Sequence, residues 1–234
     1  MELLLDVTAW LSDPVNWQGS NGVPARLLEH LWYSGAAAGL ALAIALPIGV
    51  VIGHTGRGGA LAINIANIGR AVPSFGIIIL FVVLLGIGFV PALIALVAFA
   101  IPPVLTNTYA GIRDVDPQVR DAAEGMGMRP FEVLTRVELP LAIPLIMAGI
   151  RTSVVQTIAT ATLAAYVGLG GLGRYIINGL NLQDFARVIS GALLVAALAL
   201  TVEVLFGGLQ RTLTSRGLRD RDQTVDADSA STEA

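Results

Sequence analysis

Apolar runs long enough to cross a bilayer alternate along this chain with short polar stretches. Residues 31–53 hold no Asp, Glu, Lys or Arg. Such a run spans about 35 Å as a helix, enough to cross a hydrocarbon core of about 30 Å. The pattern predicts further spans over 74–90, 91–112, 141–167 and 188–209, the last interrupted only by Glu203. These are five core spans. A six-span arrangement, with 58–72 counted as its own crossing, ranks second. Ala71-Val72-Pro73 is expected to break the helix before the second run.

The flanks read differently. Leu3, Leu4, Val7, Trp10 and Leu11 recur at helical spacing, which predicts a short interfacial helix within an external N-terminal segment, 1–29. That segment has no basic start, so a cleavable signal peptide is not expected. The segment 211–234 is rich in Ser, Thr and Asp and is expected to be a largely disordered cytoplasmic tail. Between them, 30–210 forms the membrane domain. Within it, Gly35 and Gly39 make a G-x-x-x-G pair, and Gly149, Ser153, Thr157, Ala161 and Ala165 put one small residue on each turn of the fourth span. Gln156, Thr157, Thr160 and Thr162 make that span the most polar.

Composition narrows the chemistry. The chain is 55% hydrophobic and 13% charged, against about 25% charged in soluble domains, and its mean hydropathy is +0.75. It reads as an all-α integral membrane protein. Cysteine is absent and all fourteen basic residues are arginine. No thiolate nucleophile, Schiff-base lysine or phosphate-loop lysine is available. No catalytic residues are assigned, and any ATP must be bound elsewhere. His30 and His54 make no metal-ligand spacing, so no metal site is expected.

One segment breaks the pattern. Residues 71–112 carry no formal charge, whereas 113–138 hold four arginines and six acids. A charged stretch between spans belongs in water beside the membrane. Asp116 is a good helix N-cap and Pro117 a good first residue. Gly125 and Gly127 are expected to end that helix. Pro130 opens a second one, with Phe131, Leu134, Val137 and Leu141 as its apolar stripe, closed by Leu139-Pro140. The product is a helix–glycine turn–helix loop over 113–140. Arginine placement puts this loop, Arg57, Arg70 and the arginines of the tail inside, leaving Arg26, Arg174 and Arg187 outside. The N-terminus is then outside and the C-terminus cytoplasmic.

The loop resembles the signature of ABC importer permeases, E-A-A, three residues, G, nine residues, I, one residue, L-P. Asp121-Ala122-Ala123, Gly127, Val137 and Leu139-Pro140 match every spacing, with Asp for Glu and Val for Ile. The runs at 107–111 (NTYAG), 125–128 (GMGM), 148–152 (AGIRT) and 159–173 (ATATLAAYVGLGGLG) are similar to the osmoprotectant branch, which imports glycine betaine, carnitine, choline or proline betaine. The resemblance covers about residues 24–210. It implies the type I ABC importer permease fold in the cell membrane. Asp121, Ala122, Ala123, Glu124, Gly127, Val137, Leu139 and Pro140 would couple the chain to an ABC ATPase subunit. It also implies a second permease subunit, an extracytoplasmic substrate-binding protein, and ATP with Mg on the ATPase, with no cofactor on this chain and no nucleic-acid partner. Membrane lipid surrounds the spans.

Asn107, Gln156, Thr160 and Glu203 are the candidates for a translocation pathway. Interhelical hydrogen bonding is the plainer reading of the first three. Glu203 is an intramembrane acid placed near the cytoplasmic end, with water or Arg211 in reach. The spans show no aromatic cage for a quaternary ammonium. The alternatives are a permease for another small solute, such as an amino acid, and a self-sufficient secondary transporter. The second lacks the ionisable groups and internal repeat such transporters use.

Overall fold

The computed structural model describes residues 2–60, 63, 64, 67 and 73–213, and the regular elements among them are all helical. Helix α1 (Glu2–Ser12) and a 3-10 turn (Pro14–Trp17) lead into α2 (Val23–Thr55). Then come α3 (Ser74–Leu85), α4 (Phe89–Arg113), and the short α5 (Pro117–Gly125) and α6 (Pro130–Val133). A π turn (Leu134–Glu138) joins α6 to α7 (Leu139–Ala161), which runs on into a 3-10 segment (Thr162–Val167). Helices α8 (Gly173–Leu182) and α9 (Phe185–Leu213) follow.

Among the described residues, four stretches are long and apolar enough to cross a membrane: Val23–Thr55, Phe89–Arg113, Pro130–Val167 and Phe185–Leu213. The expected second span is the exception. Its helix α3 has 12 residues, about 18 Å of rise, because Gly86 leaves the right-handed region at φ 88° and its N–H closes on the Val82 carbonyl. Of the stretch 58–72, residues 61, 62, 65, 66 and 68–72 lie outside the described residues, and Arg70 with them. So do residues 214–234, including Arg216, Arg219 and Arg221, on which the expectation of a disordered tail falls.

The core is a block of α2, α4 and α7 packed through small residues. Gly35 and Gly39 do not contribute to it: a Cβ at either would meet nothing within 4 Å. The contact face of α2 lies elsewhere on the helix, at Ala37, Ala41, Ala45, Gly49 and Gly53, all buried. A Cβ on Gly49 would lie 2.7 Å from Cβ of Thr108, and one on Gly53 would lie 2.7 Å from Cβ of Ile112. The stripe Gly149–Ser153–Thr157–Ala161–Ala165 is buried along its whole length. Gly149 admits Asn107 and Pro103 of α4, and the Ser153 hydroxyl donates to the Ala100 carbonyl at 2.7 Å. Close backbone approach and satisfied hydroxyls are what hold helices together where lipid is as apolar as the side chains. His30, fully buried, adds a tie from Nε2 to the Ile158 carbonyl at 2.9 Å.

Candidate functional site

The charged loop begins with a cap. Asp116 accepts from the Gln118 N–H at 2.8 Å, and Pro117 takes the first helical position, where no donor is needed. The helix ends in a Schellman turn. Gly127 sits at φ +85°, its N–H bonds the Glu124 carbonyl at 2.9 Å, and the Met128 N–H bonds the Ala123 carbonyl at 3.2 Å. Gly125 remains the last helical residue, so of the two glycines only Gly127 makes the left-handed turn. Arg129 then caps α6, its N–H donating to Glu132 Oε2 at 3.0 Å.

The second half of the loop departs from expectation. The chain does not close at Leu139-Pro140 but continues through the π turn into α7 as one run. Pro140 has no N–H for the carbonyl four residues back, and its ring crowds that carbonyl. A widened turn just before it, with the Leu139 N–H on the Leu134 carbonyl, accommodates both demands. The extra residue also shifts the helical phase. The predicted stripe is therefore not the buried one: Phe131 is 73% exposed and Leu141 38%, while Val133 and Glu138 face inward.

Glu138 makes the centre of the site. Its side chain is 2% exposed. His54 Nδ1, at the end of α2, lies 2.6 Å from Oε2, and Arg120 Nε, in α5, lies 3.0 Å from Oε1. The Arg120 Nη2 also donates to the Ile112 carbonyl at the end of α4. One carboxylate thus ties α2, the end of α4, α5 and the entry to α7. The spacing motif gave no hint of this. Glu138 occupies a position between the matched Val137 and Leu139, and His54 was weighed only as a metal ligand. A buried acid flanked by apolar residues, opposite a histidine ending a span, was the available signal.

Of the residues expected to couple, Ala123 is buried and seats α5, whereas Asp121, Ala122 and Glu124 are exposed. Val137 and Leu139 are half-buried, and Pro140 is exposed. Val119, Met126 and Phe131 stand exposed beside the acids. The outward face of the loop therefore mixes apolar and acidic side chains on a backbone held rigid from within.

The pathway candidates separate. Asn107 turns back on its own helix, donating to the Pro103 carbonyl at 2.8 Å, and packs against Gly149. Thr152 and Gln156 are exposed on α7 and Thr160 partly so, one turn apart on a single face. Glu203 pairs with Arg151 Nε at 3.1 Å rather than with Arg211, each side chain a little over a third exposed. Arg151 stands 12 residues into α7 from Leu139, about 18 Å along the axis. It lies near the middle of the apolar stretch Pro130–Val167.

The fold and the loop together define an all-helical, multi-pass membrane protein with a rigid charged platform at one end. Residues 45–216 match the family described as "Binding-protein-dependent transport system inner membrane component", and the chain belongs to that family. It is 44% identical over 194 residues to the choline transport system permease protein OpuBB of Bacillus subtilis, covering 83% of this chain and 89% of that one. It is 42% identical over 191 residues to the glycine betaine/carnitine/choline transport system permease protein OpuCB of the same organism, covering 82% and 88%. Among solved structures, the MetNI methionine ABC transporter in an inward-facing conformation matches with a TM-score of 0.71 at 21% identity, over 87% of this chain and 100% of that chain. That likeness is one of fold.

Proposed function

We propose that this chain is the permease subunit of an ATP-driven importer for an osmoprotectant such as glycine betaine, choline or carnitine. The observation that carries the reading is the loop, braced from inside by Glu138 while Asp121, Ala122, Glu124, Met126 and Phe131 face outward. A platform so held can receive a push from an ATPase subunit and pass it on as rigid-body motion. ATP and Mg belong to that separate subunit, since the chain has no lysine for a phosphate loop. The names of the relatives support the solute class. A binding protein delivers solute at the end opposite the loop, which is the outside, with the N-terminus there and the C-terminus cytoplasmic. The polar face at Thr152, Gln156 and Thr160, with Arg151–Glu203 nearby, belongs to a pathway shared with a second permease subunit, because polar groups on lipid-facing helices are costly.

The test is reconstitution with its ATPase and binding protein in liposomes. ATP-dependent uptake of radiolabelled glycine betaine or choline is expected. Gly127→Pro, or deletion of Ala122 and Ala123, abolishes it with the chain still in the membrane. Undiminished uptake by those variants, or ATP-independent uptake by the chain alone, overturns the reading.

A further inference from the structure

At the end of the bundle away from the loop, the chain builds a pocket that none of the roles above uses. Its frame is the 3-10 turn after α1, the start of α2, α8 and the start of α9. The Tyr175 hydroxyl donates to the Asn21 carbonyl at 2.7 Å, and Trp10 packs edge-on against the Tyr175 ring at 5.2 Å. Asn16 donates to the Trp10 carbonyl at 2.9 Å, which locks the turn onto α1. Burial holds the Tyr175 phenol above its ordinary pKa, so it stays a protonated donor. The space between them is about 300 Å3 and partly open to the surface, at the small end of ligand sites.

The wall is cationic. Arg26, Arg174 and Arg187 line it together with Asn16, Asn178 and Tyr175, and no carboxylate does so among the described residues. The acids nearest these arginines are only partly available to them. Glu29 binds Arg26 Nη1 at 2.8 Å but also accepts from the Gly171 N–H at 2.8 Å. Gly170 makes room for that arrangement, since a Cβ there would fall 1.9 Å from Glu29 Oε2. Asp184 lies 3.9 Å from Arg187 Nε, beyond hydrogen-bond reach. That Nε is buried and donates to nothing among the described residues. Arg174 has no ion pair and no side-chain hydrogen bond among the described residues. Three guanidiniums thus share two acids, and two of the three have donors to spare.

We propose that this pocket binds the carboxylate of a small solute. On the import reading, which it deepens, that solute is a zwitterion with a quaternary ammonium and a carboxylate. Guanidinium forks match carboxylates in plane and in charge, and the flanking amides supply further donors. A purely cationic solute, such as choline, has no group for the forks and meets their charge as repulsion. Val15 is the one aliphatic residue in the wall among the described residues, so the pocket itself offers the acyl chains of a lipid little apolar surface. The pocket therefore separates carboxylate-bearing osmolytes from choline at the face where solute arrives.

The test is equilibrium binding to the purified full chain in dodecyl maltoside, with radiolabelled glycine betaine and choline as probes. Glycine betaine is expected to bind saturably and to be displaced by acetate, with choline at least about tenfold weaker, the scale of one charge-assisted hydrogen bond. Arg174→Gln weakens glycine betaine by a similar factor, while Arg174→Lys, which keeps the charge but not the fork, recovers only part of that loss. Choline binding as tightly as glycine betaine, or wild-type affinity in a folded Arg174→Gln, overturns the proposal. So does displacement by phosphatidylglycerol but not by acetate. If the wild-type chain shows no saturable binding while the reconstituted importer still takes up glycine betaine, this inference fails and the import function stands. If uptake is absent but the pocket binds as described, the import reading fails instead.

Discussion

Replacing Glu138 by Gln keeps the volume of the side chain and removes its charge. Arg120, with its side chain only 16% exposed, then loses its counter-charge, and the amide presents one oxygen where His54 and Arg120 had two. Breaking a buried ion pair from one side costs about 3–5 kcal/mol. Arg120 keeps its bond to the Ile112 carbonyl and some contact with water, so the low end, about 3 kcal/mol, applies. Helix α5 is seated by this hub and by Ala123, so the loss falls on local opening of α5 rather than on the whole bundle. A cost of that size raises the open population about 100-fold. Trypsin cleavage after Arg120 in detergent reports it, because cleavage tracks the open fraction when reclosing is fast. The Arg120→Gln/Glu138→Gln double variant leaves no orphaned guanidinium, and its melting temperature should recover much of what Glu138→Gln loses. A wild-type cleavage rate in Glu138→Gln refutes the reasoning. Equally damaging is a double variant whose loss is the sum of the two singles.

Two other expectations concern the spans. Gly149→Val drives a side chain into Asn107 and Pro103, with Cβ contacts of 2.6 and 2.8 Å, and should cost about 1–3 kcal/mol in detergent thermal stability; Gly39→Val, with nothing within 4 Å of its Cβ, should leave that stability unchanged. Arg151→Leu strands Glu203 inside the span at about 2.5–3.5 kcal/mol. The yield of membrane-inserted protein should fall in Arg151→Leu and return in Arg151→Leu/Glu203→Leu, and equal yields in all three would place the pair outside the hydrocarbon.

Much of this architecture was legible because lipid imposes a strong rule: spans must be long, apolar and helical. Cap and turn chemistry is equally local, so Asp116, Pro117 and Gly127 could be placed from their neighbours alone. What escaped depended on rotation about a helix axis. The pair Gly35 and Gly39 satisfies the same small-residue pattern as Gly49 and Gly53, and only the tertiary arrangement of α4 against α2 selects between them. The π turn defeated the stripe at Phe131 and Leu141 in the same way, since one inserted residue changes which side chains point inward. The Glu138 hub joins residues 84 apart in sequence, and no periodicity reports such a meeting. Pairing Glu203 with Arg211 also favoured nearness in sequence, whereas helix α9 brings Glu203 to Arg151 on α7.

The packing also decides how the loop can move. Its two ends leave α4 at Gly111–Arg113 and enter α7 at Leu139–Ala142. At that point a Cβ on Gly111 would lie 3.3 Å from Cβ of Ala142 and 3.2 Å from Cβ of Leu145. Further along the same two helices, Gly149 meets Pro103 and Asn107, and Ser153 bonds Ala100. The helices are therefore in contact along most of their length, and the loop rises from one body, not two. A push on α5 should tilt α4 and α7 together instead of parting them. The chain has no cysteine, so Gly111→Cys/Ala142→Cys tests this without background. Disulfides favour Cβ separations of about 3.5–4.5 Å, a few tenths beyond the distance present. The pair should oxidise readily, and the reconstituted importer should keep its uptake rate to within about twofold when cross-linked, as rigid-body rocking requires. Uptake lost on oxidation and restored by reductant would mean that the two ends of the loop separate during transport, and the single-body account would fall.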